Sequence, residues 1–399
     1  MKSNLSSPFK PKSVKDYKPE DLTIYTLRAG FKKKEEDLLI IVFDKAVPVA
    51  SAYSLTSMPS APIIWDKKNN NSFCKVLIVN SGNANAHTGT RGINQIEKYT
   101  KVASNIFQCK KSEILVSSTG VIGEELDSAK IIKKLNCISK NSLKSIKDAA
   151  KAIITTDTFS KVEVVKFRYK LKQIIIYGFA KGSGMIAPNM GTMLAYIFIE
   201  APLKKKDLKN ILMKHIGSTF NSISVDGDTS TNDTIMLFST GLKNQKITMN
   251  NNLLKKISAR VNDIMLSLSK QIVSDGEGIS KLIEVTVSNA KNKIQASNVA
   301  FSIAESTLVK TAITGEDANW GRIVMAIGKA DKHIDQDKTI IKFGNSIVAK
   351  KGTRYKKIDL RKLNYYMKNK IVKINVNLGI GKYTKRVWSS DLTHRYINI

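Results

Sequence analysis

The chemistry available to this chain centres on one threonine, Thr192, which directly follows Gly191 near the middle of the sequence. The segment 181–191 is rich in Gly, Pro and Asn, so it cannot form a regular helix or strand. Apolar runs at 173–179 and 193–199 flank it and are typical of strands. A hydroxyl at the start of a strand, behind a residue without a side chain, is the arrangement expected of a nucleophile exposed by cleavage of its own preceding peptide bond.

A threonine hydroxyl is a poor nucleophile unless a base accepts its proton. If the bond between Gly191 and Thr192 is cleaved, the new α-amine of Thr192, with a pKa of roughly 8, can act as that base. Gly191 permits the strained backbone that an N→O acyl shift requires. No Ser-His-Asp or Cys-His arrangement is recognisable elsewhere in the sequence. The alternative is that Thr192 is only a strand residue after a glycine-containing loop.

Three other polar segments could supply groups to such a site. Segment 80–89 is too rich in Asn and Gly for a simple turn, and it is either a long connector or backbone packed against the site. A predicted strand at 113–117 runs into Ser-Thr-Gly at 118–120, where backbone N–H groups and a hydroxyl could form an oxyanion hole. Segment 155–158 is polar and follows a predicted helix directly.

We predict no metal site. Segment 225–234 contains three acids, but it lacks the spacing and the closing Glu of an EF-hand loop. The four histidines are scattered without metal-ligand spacing. The cysteines Cys74, Cys109 and Cys137 form no CxxC motif and leave one thiol unpaired, which is typical of a reducing compartment, so we expect a cytoplasmic protein.

Strands and helices alternate along the chain. Strands are predicted within 21–62 and at 75–79, 113–117, 235–238 and 281–288, and helices at 93–107, 127–135, 143–154, 207–216, 253–274 and 297–306. This alternation implies a layered α/β architecture. A chain of 399 residues forms two domains or one large α/β unit.

The formal net charge of +32 is the feature that points to nucleic acid. The cations are nearly all lysine and are spread along the chain, and Asn and Ile are also abundant, so a general composition bias explains the charge better. Dedicated nucleic-acid surfaces usually cluster arginine. We therefore expect neither a nucleic-acid partner nor a membrane partner, because the apolar runs are too short to cross a bilayer.

The segment 181–194 has the sequence KGSGMIAPNMGTML, which resembles the signature KGSGMIAPNMATML of the glutamate N-acetyltransferase (ornithine acetyltransferase) family of arginine biosynthesis. Further segments resemble those of the family in the same order, over roughly residues 25–396. They are 80–89, 117–123, 225–234, 275–278, 314–322 and 390–394. An ordered series of this length is far more specific than a single Gly-rich loop.

The resemblance implies a layered ornithine-acetyltransferase-type α/β fold, related to self-processing aminopeptidases, with a smaller C-terminal α/β domain from about residue 280. It also implies self-cleavage between Gly191 and Thr192. The products would be an α chain of residues 21–191, preceded by a flexible arm of residues 1–20, and a β chain of residues 192–399. The processed chains would assemble as an α2β2 tetramer.

The activity implied by the resemblance is ping-pong transfer of an acetyl group from N2-acetylornithine to glutamate. Thr192 matches the nucleophile, and Thr119 and Gly120 match the oxyanion donors. No cofactor is implied, although acetyl-CoA is a possible additional acetyl donor.

Thr155, Lys181 and Glu277 match substrate-binding positions of the family, as does Thr192 itself. Their chemistry suits an amino acid, because Lys181 can pair with a carboxylate and Glu277 with an ammonium group.

Three features depart from the family pattern. Gly191 stands where Ala is usual, and His87 replaces a common Cys. The substrate-binding Asn and Thr of the family's INADYTT-like segment have no clear counterpart before Ile399. The alternative enzyme is an N-terminal-nucleophile hydrolase, such as an aminopeptidase, in which Thr192 would pass its acyl group to water.

Overall fold

The protein is described by a computed structural model over residues 6–138, 144–187, 193–241 and 247–398. The strands in these residues are β1 (Leu22–Leu27), β2 (Leu38–Tyr53), β3 (Phe73–Asn83), β4 (Ile114–Val121), β5 (Lys161–Tyr169), β6 (Lys172–Lys181), β7 (Leu194–Ile199), β8 (Ile223–Ser224), β9 (Thr234–Ser239), β10 (Leu282–Ala290), β11 (Ile340–Phe343), β12 (Ser346–Lys350), β13 (Thr353–Arg354), β14 (Ile371–Asn377) and β15 (Tyr383–Ser390). The helices are α1 (Ala61–Asn69), α2 (Gly89–Phe107), α3 (Ser128–Asn136), α4 (Ile146–Ile153), α5 (Lys205–Ile216), α6 (Asn251–Val273), α7 (Lys293–Ala304), α8 (Thr307–Thr314), α9 (Trp320–Ala330) and α10 (Leu360–Met367). Among the described residues, no helix is both long and apolar enough to cross a membrane.

The larger sheet has the strand order β4-β3-β2-β9-β7-β6-β5, with β1 paired to β2. Strand β2 joins its two halves, because Leu38–Val42 pairs with β3 and Val49–Tyr53 pairs with β9. The pairs β3·β4 and β7·β9 are parallel. Every residue of β7 and of β9 is buried, which explains why both segments are continuous apolar runs rather than alternating ones.

Aromatic side chains fill much of the core of this sheet. The rings of Tyr177 and Phe198 stack with centroids 5.0 Å apart, and Phe198 and Phe238 are also 5.0 Å apart. Phe43 continues the row, 5.3 Å from Phe238. Each such pair contributes about 0.5–1.5 kcal/mol beyond its buried area. The row fixes β2, β6, β7 and β9 against one another, and these strands carry the segments around Thr192.

The smaller sheet has the order β13-β12-β11-β14-β10-β15-β8. Helices α7, α8 and α9 pack on it through a separate apolar core. The buried Lys310 of α8 links this unit to the segment before β9, because its ammonium donates to the Val225 carbonyl (2.6 Å) and the Ser390 carbonyl (2.5 Å). The two sheets with packed helices confirm the layered α/β architecture predicted from the sequence.

Residues 6–20 contact the larger sheet and the elements around it. The Ser7 hydroxyl donates to the Ser274 carbonyl at 2.5 Å, and the Ile146 amide donates to the Tyr17 carbonyl at 3.0 Å. The Tyr17 ring lies 4.9 Å from the ring of Tyr177. The N-terminal segment therefore adds to the same aromatic row.

A half-buried carboxyl group at the end of β7 should make stability depend on pH. The Tyr17 hydroxyl donates to Glu200 Oε1 at 2.6 Å, and burial, together with the charges of Asp21 and Glu20, raises the pKa of Glu200 to about 7. The folded protein then holds a proton that the unfolded chain releases above about pH 4.5. Stability linked to Glu200 is therefore present below that pH and is lost as pH rises towards 7.

We expect Glu200→Gln to remove this dependence while keeping an oxygen that accepts from Tyr17. The measurement is the melting temperature Tm of wild type and variant at matched concentration between pH 5 and 7.5. The difference between them should grow with pH in favour of the variant. A constant difference across that range would contradict the assignment.

Candidate active site

Thr119 and Gly120 lie at the end of β4, where this strand runs beside β3. The parallel register pairs Ser81 with Thr119 and Gly82 with Gly120. Gly120 has φ +136°, and a Cβ built on it would lie 2.3 Å from the Gly82 carbonyl carbon and 2.5 Å from the Asn83 nitrogen. Only glycine fits there, because the two strands approach closely and the backbone conformation disfavours a side chain.

Buried side-chain amides support this strand end. The Ser118 hydroxyl donates to Asn80 Oδ1 at 2.6 Å, and the Asn80 amide donates to the Asn83 carbonyl at 2.8 Å. The Asn232 amide donates to the carbonyls of Ala84 (2.7 Å) and Ser118 (2.9 Å). The sequence predicts that segment 80–89 is either a long connector or backbone packed against the site, and these contacts agree with the second interpretation. Strand β3 extends to Asn83, so the first part of the segment is strand rather than loop.

Lys181, the last residue of β6, reaches the same point with its ammonium group. Its Nζ donates to Thr119 Oγ1 at 3.1 Å and to Thr155 Oγ1 at 2.9 Å. The residue is only 3% exposed, and this burial lowers the pKa of Lys181 although the charge of Asp157 opposes the shift. Among the described residues, no carboxylate bonds directly to this ammonium group, whose partners are hydroxyls, so it can bind a carboxylate from a ligand.

A buried ion cluster, Lys161 with Asp157 and Asp275, holds the surrounding loops. Lys161 Nζ lies 2.6 Å from Asp157 Oδ1 and 2.6 Å from Asp275 Oδ2, and the three side chains are fully buried. Asp157 also accepts from the Gly182 amide at 2.7 Å, and Asp275 accepts from the Thr158 amide at 2.9 Å. The cluster thus joins the loop after α4, the end of β6 and the loop after α6.

Glu277 approaches the cleft from the loop after α6. A Cβ built on Gly184 would lie 2.4 Å from the Glu277 carboxyl carbon, so the carboxyl group rests directly on the Gly184 backbone. Burial raises the pKa of Glu277, while a hydrogen bond from Thr156 and the charge of Lys181 lower it. The absence of a side chain at Gly184 is therefore what allows this carboxyl group to sit there.

The backbone of segment 183–187 is fixed by Asp226. Its two carboxylate oxygens accept from consecutive amides, Met185 at 2.5 Å and Ile186 at 2.9 Å. The Tyr396 hydroxyl also hydrogen-bonds to Asp226, and burial raises the pKa of Tyr396 to about 12. Segment 225–234, whose acids suggested a calcium loop, thus serves here to bind backbone amides.

These groups surround one cleft of about 1120 Å³. The structure brings five of the predicted site residues to its wall, namely Thr119, Gly120, Thr155, Lys181 and Glu277. Gly191 and Thr192 lie outside the described residues, as do Pro188–Met190. Within the described ranges, no three His, Cys, Asp or Glu side chains are grouped so that they could hold a metal ion.

The sequence interpretation missed Lys161, Asp226 and Asp233 as individual contributors. Asp233 is fully buried, and its Oδ1 accepts from the Met193 amide at 2.8 Å, directly after the predicted nucleophile. The sequence feature that could have pointed to the two aspartates is the high density of acidic residues in segments 225–234 and 275–278. Their partners could not be read from the sequence, because they lie far away along the chain.

Comparison with known proteins identifies the family. The model of the ArgJ family matches residues 23–399. The arginine biosynthesis bifunctional protein ArgJ of Bradyrhizobium diazoefficiens is 41% identical over 406 residues, covering 100% of this chain and 98% of that protein. Its counterpart from Agrobacterium fabrum is 40% identical over 402 residues, covering 98% of this chain and 97% of that protein.

Among solved structures, the arginine biosynthesis bifunctional protein argJ from Bacillus halodurans is 38% identical, with a TM-score of 0.49 over 52% of this chain and 98% of that chain. The family model and the full-length relatives confirm the family predicted from the sequence motifs. The chain belongs to the ArgJ family, and it is an acyltransferase of arginine biosynthesis.

Proposed function

We propose that this chain transfers the acetyl group of N2-acetylornithine to glutamate through an acetyl ester on Thr192. The observation that carries the proposal is the position of the Lys181 ammonium, which bonds to the hydroxyls of both Thr119 and Thr155. A cation that can bind a carboxylate thus lies beside a strand end whose donors can stabilise an oxyanion. An enzyme that moves an acyl group between amino acids needs both groups in one cleft.

Thr192 becomes the nucleophile after self-cleavage of the bond to Gly191. Its α-amine, with a pKa of roughly 8, takes the hydroxyl proton as the oxygen attacks the acetyl carbonyl. Strand β7 supports this role. It begins at Leu194, two residues after Thr192, and all of its residues are buried, so it would anchor the chain directly after the new N-terminus. The amine then returns the proton to the departing ornithine nitrogen.

Thr119 and Gly120 stabilise the tetrahedral intermediate by hydrogen bonds to its oxyanion. The Thr119 hydroxyl lies 3.1 Å from Lys181 Nζ, so a positive charge reinforces the donor. Such preorganised donors act strongly in a site from which water is excluded.

The amino-acid part of each substrate binds between Lys181 and Glu277. The ammonium of Lys181 receives the carboxylate of either substrate, and the carboxylate of Glu277 receives the side-chain ammonium of N2-acetylornithine. Thr155 contributes a hydroxyl that is already oriented by Lys181. After ornithine leaves, glutamate enters the same place and its neutral amine attacks the carbonyl carbon of the acetyl ester. The bond from that carbon to the Thr192 oxygen breaks, and the Thr192 α-amine passes the proton of the attacking amine to this oxygen.

Processing would give an α chain of residues 21–191, behind the arm of residues 1–20, and a β chain of residues 192–399 with a C-terminal domain from about residue 280. We propose an α2β2 assembly, action in the cytoplasm without a cofactor, and acetyl-CoA as a further donor. No nucleic acid or membrane takes part.

The proposal is tested with Thr192→Ala, and with Thr192→Ser as the matched control. Wild type should separate into two bands, each roughly half of 44.2 kDa, and should convert acetylornithine and glutamate into ornithine and N-acetylglutamate. Thr192→Ala should stay a single chain and lose at least about 10⁴-fold in transfer rate, because the nucleophile is gone. Thr192→Ser keeps a hydroxyl and should retain cleavage. An uncleaved but active wild type would contradict the mechanism.

The molecule that accepts the acetyl group distinguishes the two candidate enzymes. A transferase passes the acetyl group from Thr192 to glutamate, whereas a hydrolase passes it from the same Thr192 to water. Free acetate without N-acetylglutamate would favour the hydrolase. Replacing acetylornithine by acetyl-CoA in the same assay reports whether the second donor is accepted.

A further inference from the structure

The loop between β1 and β2 is folded around one buried carboxylate, that of Asp37. Asp37 has no exposed surface, and its two oxygens accept from the amides of Ala29 (2.5 Å), Gly30 (3.0 Å), Phe31 (2.6 Å) and Lys32 (2.8 Å). Four hydrogen bonds to one buried charge fix the backbone of this loop up to Lys32. The side chain of Lys32 therefore has a rigid base, and it forms part of the wall of the cleft.

The Lys32 ammonium group lies at the C-terminal end of helix α4. Its Nζ donates to the Ile154 carbonyl at 3.1 Å and, at a longer 3.4 Å, to the Ala152 carbonyl. A helix C-terminus attracts positive charge, so the helix end helps to hold the ammonium group in place. An ammonium group has three donors, and among the described residues Lys32 forms no ion pair with a carboxylate. One donor therefore remains for a ligand in the cleft.

Adjacent residues of the chain hold Lys32 and Lys181, and both side chains line the cleft. Lys181 Nζ donates to the Thr155 hydroxyl at 2.9 Å, and Ile154, which accepts from Lys32, directly precedes Thr155. Adjacent Cα atoms are about 3.8 Å apart, so one amino-acid ligand can contact both ammonium groups. Burial lowers the pKa of Lys32, and the charge of Lys181 lowers it further, although three nearby acids oppose both effects. Two positive charges in one cleft favour a ligand that brings two negative charges.

The two amino-acid substrates of the proposed reaction differ in the charge of their side chains. N2-acetylornithine has a carboxylate and a side-chain ammonium group, which suit Lys181 and Glu277. Glutamate has two carboxylates, and the Glu277 carboxylate would repel the one on its side chain. Binding of glutamate therefore calls for a second cation. Lys33 and Lys34 also line the cleft, but both are exposed, whereas Lys32 is half-buried and already fixed, so binding a ligand orders it at a lower cost in entropy.

We infer that Lys32 binds the side-chain carboxylate of glutamate while Lys181 binds its α-carboxylate, so that Lys32 selects glutamate as the acetyl acceptor. The inference rests on the proposed function. Lys32 acts by binding alone and takes no part in the chemical steps. It favours glutamate over amino acids with a neutral side chain, and it contributes little to the reaction with acetylornithine.

The experiment measures the two half-reactions separately in wild type and in variants of two lysines. The first assay follows exchange of labelled ornithine into acetylornithine without glutamate. The second assay follows transfer from acetylornithine to glutamate or to glutamine, expressed as kcat/KM for the acceptor. Lys151→Gln is the matched control, because Lys151 is an exposed lysine in the last turn of the same helix α4 and does not line the cleft.

Three variants of Lys32 separate its charge from its support of helix α4. Lys32→Gln keeps a donor for the Ile154 carbonyl but lacks the charge, Lys32→Met lacks both, and Lys32→Arg keeps both. Lys32→Gln and Lys32→Met should lower kcat/KM for glutamate by about 10–100-fold, the usual effect of losing a hydrogen bond between charged groups. Transfer to glutamine and exchange of ornithine should fall far less, because neither molecule has a side-chain carboxylate. Lys32→Arg should keep the preference for glutamate, and Lys151→Gln should behave like wild type.

Equal losses in glutamate transfer, glutamine transfer and ornithine exchange would show that Lys32 only supports the loop, and they would overturn the inference. Transfer to glutamate at the wild-type rate in Lys32→Gln would overturn it as well, as would a Lys32→Arg enzyme that no longer prefers glutamate to glutamine. Absence of ornithine exchange in wild type would instead overturn the proposed function.

Discussion

Lys161→Met is expected to lower the free energy of unfolding by about 3–5 kcal/mol, the cost of leaving buried charges without their partner. Lys161 lies 2.6 Å from each of two fully buried carboxylates, those of Asp157 and Asp275. Methionine fills most of the volume of the lysine side chain. The loss of stability should therefore come mainly from the missing positive charge and not from a cavity. Urea unfolding in the Thr192→Ala background is the measurement, because the chain stays in one piece there and unfolding is unimolecular.

The control is Lys166→Met, an exposed lysine on the same strand whose ammonium lies 5.3 Å from the centre of the Tyr17 ring. This change should alter stability by no more than about 1 kcal/mol. The processed Lys161→Met enzyme should also lose acetyl transfer, because Asp157 binds the Gly182 amide and Asp275 binds the Thr158 amide. Equal stability of the two variants would show that the cluster is not a stabilising ion pair.

Gly120→Ala is expected to reduce the transfer rate by about 10²–10³-fold, the typical effect of losing one oxyanion donor. The added Cβ would lie 2.3 Å from the Gly82 carbonyl carbon, and that atom belongs to the backbone. The backbone of β3 or of β4 must therefore shift, and the Gly120 N–H moves with it. The measurement is kcat with acetylornithine and glutamate as substrates.

Gly123→Ala is the control that separates two effects of adding a Cβ, namely strain from a positive φ and a clash with neighbouring atoms. Gly123 also has a positive φ, +88°, but a Cβ there meets nothing within 4 Å. This control should cost about 1–3 kcal/mol of strain and leave kcat unchanged. If Gly120→Ala transfers acetyl groups as fast as Gly123→Ala does, the Gly120 N–H is not an oxyanion donor.

Local patterns were sufficient to predict several parts of this protein. The strand before Thr119 and Gly120 is a short apolar run that ends in Ser-Thr-Gly, and both the strand and its end are local features. Helix α3 spans Ser128–Asn136, within one residue of the predicted range 127–135, and Asp127 caps it by accepting from the Ala129 amide at 3.0 Å. The roles of the individual site residues came from the family motifs.

Other features depend on contacts that no local pattern contains. Asn80–Asn83 belong to β3 although Asn and Gly disfavour strands, because pairing with β4 and buried amide bonds outweigh that preference. Lys161 looks like an exposed strand residue, yet its partner Asp275 is 114 residues away. Asp233 and Met193 are likewise 40 residues apart.

The order of strands in the larger sheet determines what a cut before Thr192 does to the molecule. Strands β7 and β9 come after the cut, yet they lie between β2 and β6, which come before it. The two products are therefore interleaved in one sheet and cannot separate without breaking it. If the chain is cut as we propose, folding must come before the cut. The two products could then reassemble only by a bimolecular encounter, so their Tm should depend on concentration, whereas the Tm of an uncut monomer should not. The proposed maturation would thus leave a pair of chains that is retained chiefly by its slow unfolding.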